Sequence, residues 1–167
     1  MEVTIILPTF NEKNNILLLI NLIKKVLKKS KIQIIVIDDN SPDKTGLICK
    51  NKFKRDKSIN IILNKRRIGL ANSIYRGILK SSKKIIVVMD TDFTHDPKLI
   101  PKMLKLINEY DIISGSRYCA GGYMQDQIHS HLSFFYNLIL KLILKNQIQD
   151  NLGGYFCITK KSLNKLP

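Results

Sequence analysis

The stretch KIIVVMDTDFTHDP, residues 84–97, decides the fold. Five apolar residues in a row, Ile85 to Met89, with no polar alternation, describe a strand buried on both faces. The acidic run that follows describes the turn leaving the carboxyl end of that strand. Asp96 before Pro97 is a helix start, because the aspartate accepts from free first-turn N–H groups and proline is tolerated where no such group is needed. A helix is therefore predicted over Pro97 to Asn108.

The same unit recurs outward from this segment. VTIILP (3–8), IQIIVID (32–38), INIIL (59–63) and DIISGS (111–116) read as further buried strands. Between them, Ile16, Leu19, Ile20, Ile23 and Leu27 recur at helical spacing within a helix predicted from Asn11 or Glu12 to Lys29. Pro42 to Arg55 and Gly69 to Ser81 read likewise. This alternation predicts a single Rossmann-like α/β domain over residues 1–167, with a mainly parallel sheet covered by helices on both faces. Beyond the fifth strand, residues 117–127 read as a loop and His129 to Gln147 as a helix. Tyr155 to Ile158 is a candidate short strand and Thr159 to Leu166 a final helix start.

Ligands of such sheets bind beyond the carboxyl ends of the strands. PTFNE (8–12), DDNSPD (38–43), DTDFTHD (90–96) and SGSRY (114–118) all fall there, which places Asp38, Asp39, Asp90 and Asp92 around one predicted cleft. Asn40, Ser41 and Asp43 are ordinary turn and cap residues. Asp90 and Asp92 are different, since two carboxylates one residue apart repel unless a cation lies between them. Hard oxygen donors of this kind suit Mg²⁺ or Mn²⁺ held jointly with a diphosphate. No Walker or GxGxxG loop is present, which disfavours a P-loop NTPase and a dinucleotide-dependent dehydrogenase.

The chain holds 28 Lys+Arg against 13 Asp+Glu, a net charge of +15, with 44% hydrophobic residues. That hydrophobic share argues against disorder. The charge admits nucleic acid, an anionic membrane surface or a phosphorylated substrate as a partner. Nucleic acid is disfavoured, because the basic residues are scattered and no aromatic stacking platform or groove-reading motif accompanies them. Three widely spaced cysteines, Cys49, Cys119 and Cys157, fit neither a disulfide framework nor a zinc site and suit a reducing compartment. No signal peptide is expected at the start. The apolar run Leu132 to Leu144 includes Lys141 and is shorter than the ~18 residues of a membrane span.

PTFNE at 8–12, VIDDNSPDKTG at 36–46, GLANSIYRG at 69–77, MDTDFTHDP at 89–97 and SGSRYCAGG at 114–122 resemble, in order and spacing, the family 2 glycosyltransferases of GT-A fold. More narrowly they resemble the dolichol-phosphate and polyprenyl-phosphate mannosyltransferases, from about Val3 to Leu163. The resemblance implies an inverting, metal-dependent transfer of mannose from GDP-mannose to dolichyl or polyprenyl phosphate, with Mg²⁺ or Mn²⁺ as cofactor. It implies a cytoplasmic location, peripheral on the cytosolic membrane face, and admits a homodimer or a membrane-anchoring subunit. It implies further that Pro8, Phe10, Glu12, Ile37, Asp39, Thr91, Asp92 and Arg117 bind the nucleotide sugar, with Asp39 meeting the base. By the same resemblance Asp90, Asp92 and Thr94 hold the metal, with His95 beside them, and Asp90, Asp92, Arg117 and Asp150 form the catalytic set.

Three departures accompany the likeness. His129 and Phe156 stand where many relatives carry arginine, and the sequence ends before the C-terminal basic segment usual in that family. Two other readings therefore stay open: a UDP-glucose-dependent polyprenyl-phosphate glucosyltransferase, and an inactive or truncated nucleotide-sugar-binding domain. The helix around Leu132 to Leu144 is expected either to lie on a membrane or to pack within the protein.

Overall fold

A computed structural model of the chain describes residues 1–116, 150 and 153–165. Arg117, Cys119, His129 and the helix expected over 129–147 lie outside the described residues. Six strands form one sheet: β1 (Glu2–Thr9), β2 (Lys31–Asp38), β3 (Ile59–Leu63), β4 (Ile85–Val88), β5 (Ile112–Ser114) and β6 (Phe156–Thr159). The helices are α1 (Ile16–Val26), α2 (Thr45–Lys52), α3 (Leu70–Lys80), α4 (Ile100–Leu106) and a short α5 (Lys160–Leu163). The order across the sheet is β3-β2-β1-β4-β6-β5. β1 pairs parallel with β2 and β4, and β2 with β3, whereas β6 runs antiparallel to both β4 and β5.

The apolar strands are apolar because both faces are covered. Val3, Ile5, Leu7, Ile34 and Val36 share one buried layer with Ile16, Leu19, Ile20 and Ile23 of α1 and with Ile100, Met103 and Leu104 of α4. Ile6, Ile35, Ile37, Ile86 and Val88 point the other way, onto Ile74 and Ile78 of α3 and Leu163 of α5. Fully burying each such side chain contributes ~1.5–3 kcal/mol. Gly77 sets how closely α3 approaches the sheet, since a Cβ there would stand 2.7 Å from Ile6 Cγ2 and 2.9 Å from Ile37 Cδ1.

The helices start later than their periodicity suggests. Asn11 and Lys44 have φ near +59° and +64°, outside the helical region, so α1 and α2 begin only after those turns close. The two turns lace together: Ser41 Oγ accepts the Asn11 N–H at 3.0 Å, Thr45 Oγ1 that of Glu12 at 3.0 Å, and Asp43 Oδ2 that of Lys13 at 3.1 Å. The predicted helix from Pro97 opens as a 3₁₀ turn over Pro97–Leu99 capped by Asp96, whose Oδ1 accepts the Lys98 N–H at 2.9 Å.

The short strand expected near Tyr155 forms, and its placement changes the sheet. β6 inserts between β4 and β5, so the fifth strand of the sequence pattern does not touch the fourth. Val88 lies opposite Phe156, and Ser114 opposite Phe156 on the other side. The chain therefore delivers residues 153–155 to the carboxyl end of β4, level with the acidic turn. Among the described residues no helix is long and apolar enough to cross a membrane.

Candidate active site

Alternation along β2 separates its two terminal carboxylates. Asp38 turns towards α2, where its Oδ2 accepts the Ser41 N–H at 3.1 Å and Gly46 packs so closely that a Cβ would meet Asp38 Cβ at 2.6 Å. Asp39 faces the opposite way, into a cleft of about 130 Å³ lined by Pro8, Thr9, Phe10, Arg67, Gly69 and Ser73. The expectation that four aspartates ring one cleft thus needs correction: of the four only Asp39 lines it, and Asp38 points to the other face. Successive strand side chains point to opposite faces.

Asp39 is 5% exposed and is held from several directions. Oδ1 accepts from Asn64 Nδ2 at 2.9 Å and from the Ile68 N–H at 2.8 Å, while Oδ2 accepts the Gly69 N–H at 2.8 Å. Burial pushes this carboxyl upward, but the Ile68 N–H, the Asn64 amide, the Gly69 N–H and the Arg67 charge outweigh it and hold it below its ordinary range. Gly69 has φ +86°, a conformation that glycine adopts without strain and that delivers its N–H to Oδ2. Arg67 lies over the Phe10 ring, its Cζ 4.1 Å from the centroid, so a cation and an aromatic face share the cleft wall. Asn64 in turn accepts from Arg76 on α3. Asn64, Arg67 and Ser73 were not singled out from the sequence; the motif at 69–77 and its opening glycine were the available signal.

The remaining expected nucleotide residues separate. Pro8, Phe10 and Asp39 line the cleft. Ile37 is fully buried in the layer under α3. Glu12 accepts from Asn15 Nδ2 at 2.7 Å, and its carbonyl receives the Asn15 and Ile16 N–H groups at 3.0 Å, at the start of α1.

The acidic turn leaves β4 beside this cleft, because Val88 pairs with Ile6 and Asp90 therefore emerges level with Pro8. Thr91 is buried, Asp90 half-buried and Asp92 exposed. Asp92 Oδ1 accepts from the Thr94 N–H at 3.0 Å and Thr94 Oγ1 at 2.6 Å, closing the turn around Phe93, whose φ is +65°. Gly154 lies against Asp90: a Cβ there would stand 2.9 Å from Oδ2 and 3.0 Å from Oδ1. Asp150 is 3% exposed and packs beside Gly153. Ser116, the residue before Arg117, continues β5 level with Gly154 by the same register.

Among the described residues no group of three or more His, Cys, Asp or Glu side chains converges as a self-sufficient metal site. Two aspartates on one turn, with a glycine keeping the space beside one of them open, fit a hard divalent cation that completes its shell with water and phosphate oxygens. Cys49 and Cys157 are buried thiols, each pushed by burial up to about 12, and take no part.

This parallel sheet with one antiparallel insertion is the GT-A glycosyltransferase architecture. It superposes on glucosyl-3-phosphoglycerate synthase of Mycobacterium tuberculosis, crystallised with phosphoglyceric acid, at a TM-score of 0.75 and 18% identity, covering 99% of this chain and 59% of that one. A mannosyltransferase from Pyrobaculum calidifontis, in complex with GDP-Man and Mn²⁺, superposes at a TM-score of 0.67 and 16% identity, covering 97% of this chain and 45% of that one. The model of glycosyl transferase family 2 matches residues 4–166, and the chain belongs to that family. A dolichol-phosphate mannosyltransferase of Pyrococcus furiosus is 32% identical over 96% of this chain and 47% of its own length. An undecaprenyl-phosphate mannosyltransferase of Micrococcus luteus is 28% identical over 93% of this chain and 65% of its own length. The chain thus spans about half to two thirds of the curated relatives it matches.

Proposed function

We propose that the chain is the nucleotide-sugar-binding and catalytic part of an inverting mannosyltransferase that moves mannose from GDP-mannose to dolichyl or polyprenyl phosphate. The observation that carries this reading is the acidic turn Asp90–Asp92 emerging beside the Asp39 cleft, in a chain 32% identical to a dolichol-phosphate mannosyltransferase. Asp39 and the Arg67–Phe10 wall receive the base. Asp90 and Asp92, with Thr94 at the turn, hold Mg²⁺ or Mn²⁺, which when bound supplies positive charge to the leaving diphosphate.

The chain's own residues do the rest by positioning. An acceptor phosphate oxygen is already anionic near neutral pH, so the attack needs alignment and charge balance more than a strong base. Arg117, which follows Ser116 in the sequence, offers a planar bidentate donor to phosphate. Asp150, packed beside Gly153, orients the sugar or a basic partner. The acceptor places the work on the cytosolic face of a membrane, with the protein peripheral to it.

Transfer of radiolabelled mannose from GDP-mannose to dolichyl or undecaprenyl phosphate in detergent, with Mn²⁺, tests the proposal. Label appearing in the lipid phase is the expected result. Label entering the lipid only from UDP-glucose would replace the sugar and base, and nucleotide binding without transfer from either donor would reduce the chain to a binding domain.

A further inference from the structure

The acidic turn does not hold its shape alone. His95 Nδ1 lies 3.2 Å from the backbone nitrogen of Asp90 and accepts its N–H. Nδ1 is also 3.7 Å from Asp90 Oδ2. Nδ1 thus meets the first backbone N–H of the turn as an acceptor. The imidazole is 9% exposed and stacks on Tyr155 with centroids 4.8 Å apart and planes at 21°.

Tyr155 is itself immobilised. It is 2% exposed, its hydroxyl donates to the Asp96 carbonyl at 3.0 Å, and its carbonyl accepts the Gly115 N–H at 2.8 Å. Gly115 packs flat on the ring, where a Cβ would stand 2.6 Å from Cδ1. Both ends of the turn, the Asp90 N–H and the Asp96 carbonyl, are therefore gripped by one stacked pair, His95 of the turn itself and Tyr155 just before β6. Nothing in a bare Asp-x-Asp pattern requires this brace. An exposed turn with a residue at positive φ has several accessible closures, and a stacked ring pair selects one.

We propose that His95, braced by Tyr155, is a positioning residue that fixes the Asp90–Thr91–Asp92 turn in the conformation that binds a divalent cation. The inference rests on the reading of Asp90 and Asp92 given above. Partners that orient metal-binding groups without touching the metal are commonly worth about 10- to 100-fold in metal affinity.

Two substitutions separate the acceptor from the ring. His95→Phe keeps the stack on Tyr155 and removes the acceptor; His95→Asn keeps an acceptor near the Nδ1 position and removes the stack. Mn²⁺ binding in the presence of GDP, followed by loss of the free-ion electron paramagnetic resonance signal, reads affinity without requiring turnover. Thermal unfolding of the metal-free proteins reads the fold. His95→Phe is expected to weaken Mn²⁺ binding about 10- to 100-fold, and His95→Asn to recover all but about 3-fold. His95→Phe within 2-fold of wild type, while Asp92→Ala loses the ion, would overturn the positioning role and leave the metal reading intact. Wild-type protein that holds no Mn²⁺, or Asp92→Ala that holds it as well as wild type, would overturn both. If His95→Phe fails to fold, folded His95→Asn decides: near-wild-type affinity supports the acceptor role, and a loss as large as about 10-fold refutes it.

Discussion

Asp39 Oδ1 and Oδ2 between them receive three N–H donors, two of them backbone groups of the loop that opens α3. The carboxylate shapes that loop as well as facing the cleft. Asp39→Asn keeps the shape but turns an amide N–H towards a backbone donor, and is expected to cost about 1–3 kcal/mol of stability by chemical denaturation together with nucleotide affinity. Asp92 differs, being exposed and, among the described residues, hydrogen-bonded to Thr94. Asp92→Ala should cost no more than about 1 kcal/mol of stability, as loss of a local cap does, while abolishing Mn²⁺-dependent nucleotide binding. A large fall in Tm with metal-dependent binding retained would reverse that assignment. These roles were unequally legible: a sequence shows the acidic pairs at 38–39 and 90–92, but only the geometry shows that the first pair diverges. Ile37 was expected at the base and lies in the core, because strand alternation sends its side chain beneath α3.

Five strands and their helices could be read from apolar runs and periodicity, since burial on both faces leaves little polar residue in a strand. The insertion of β6 could not, because pairing partners far apart in the chain leave no local pattern. That insertion brings Gly154 to Asp90. Gly154→Ala is expected to displace the Asp90 carboxylate and lower Mn²⁺ affinity at least 10-fold on the scale of ~1.4 kcal/mol per decade, measured by calorimetry on a folded protein. Gly77→Ala should instead lower stability alone, by about 1–3 kcal/mol, through overpacking of α3 on Ile6 and Ile37. Elsewhere α1 is tied to the turn before β3 by Lys24 and Asp56. The hydrogen bond from Lys24, then that from Ser58, lowers the Asp56 carboxyl from 3.8 to about 2. Its folded value lies below its unfolded one, so the stability it adds is present above pH 3.8 and lost as pH falls towards 2. Asp56→Asn should flatten that part of the stability profile in acid denaturation, and an unchanged profile would show the pair to be without consequence.

At the scale of the whole molecule, acidic chemistry gathers at one end of the sheet in a chain of net charge +15. The sheet explains the gathering: parallel strands bring all their carboxyl ends to one edge, where N–H groups and turn residues accept anions and hold carboxylates. On the function proposed above, base, cation and acceptor sites would be supplied by loops from different strands. The most direct test of the account is calorimetric titration of GDP-mannose into the protein with and without Mn²⁺, beside Asp92→Ala. Binding that requires Mn²⁺ and disappears in Asp92→Ala is the predicted result. Binding of equal strength in the presence and absence of the metal, or retained in Asp92→Ala, would contradict the claim that the 90–92 turn is where the sugar nucleotide and its cation are held.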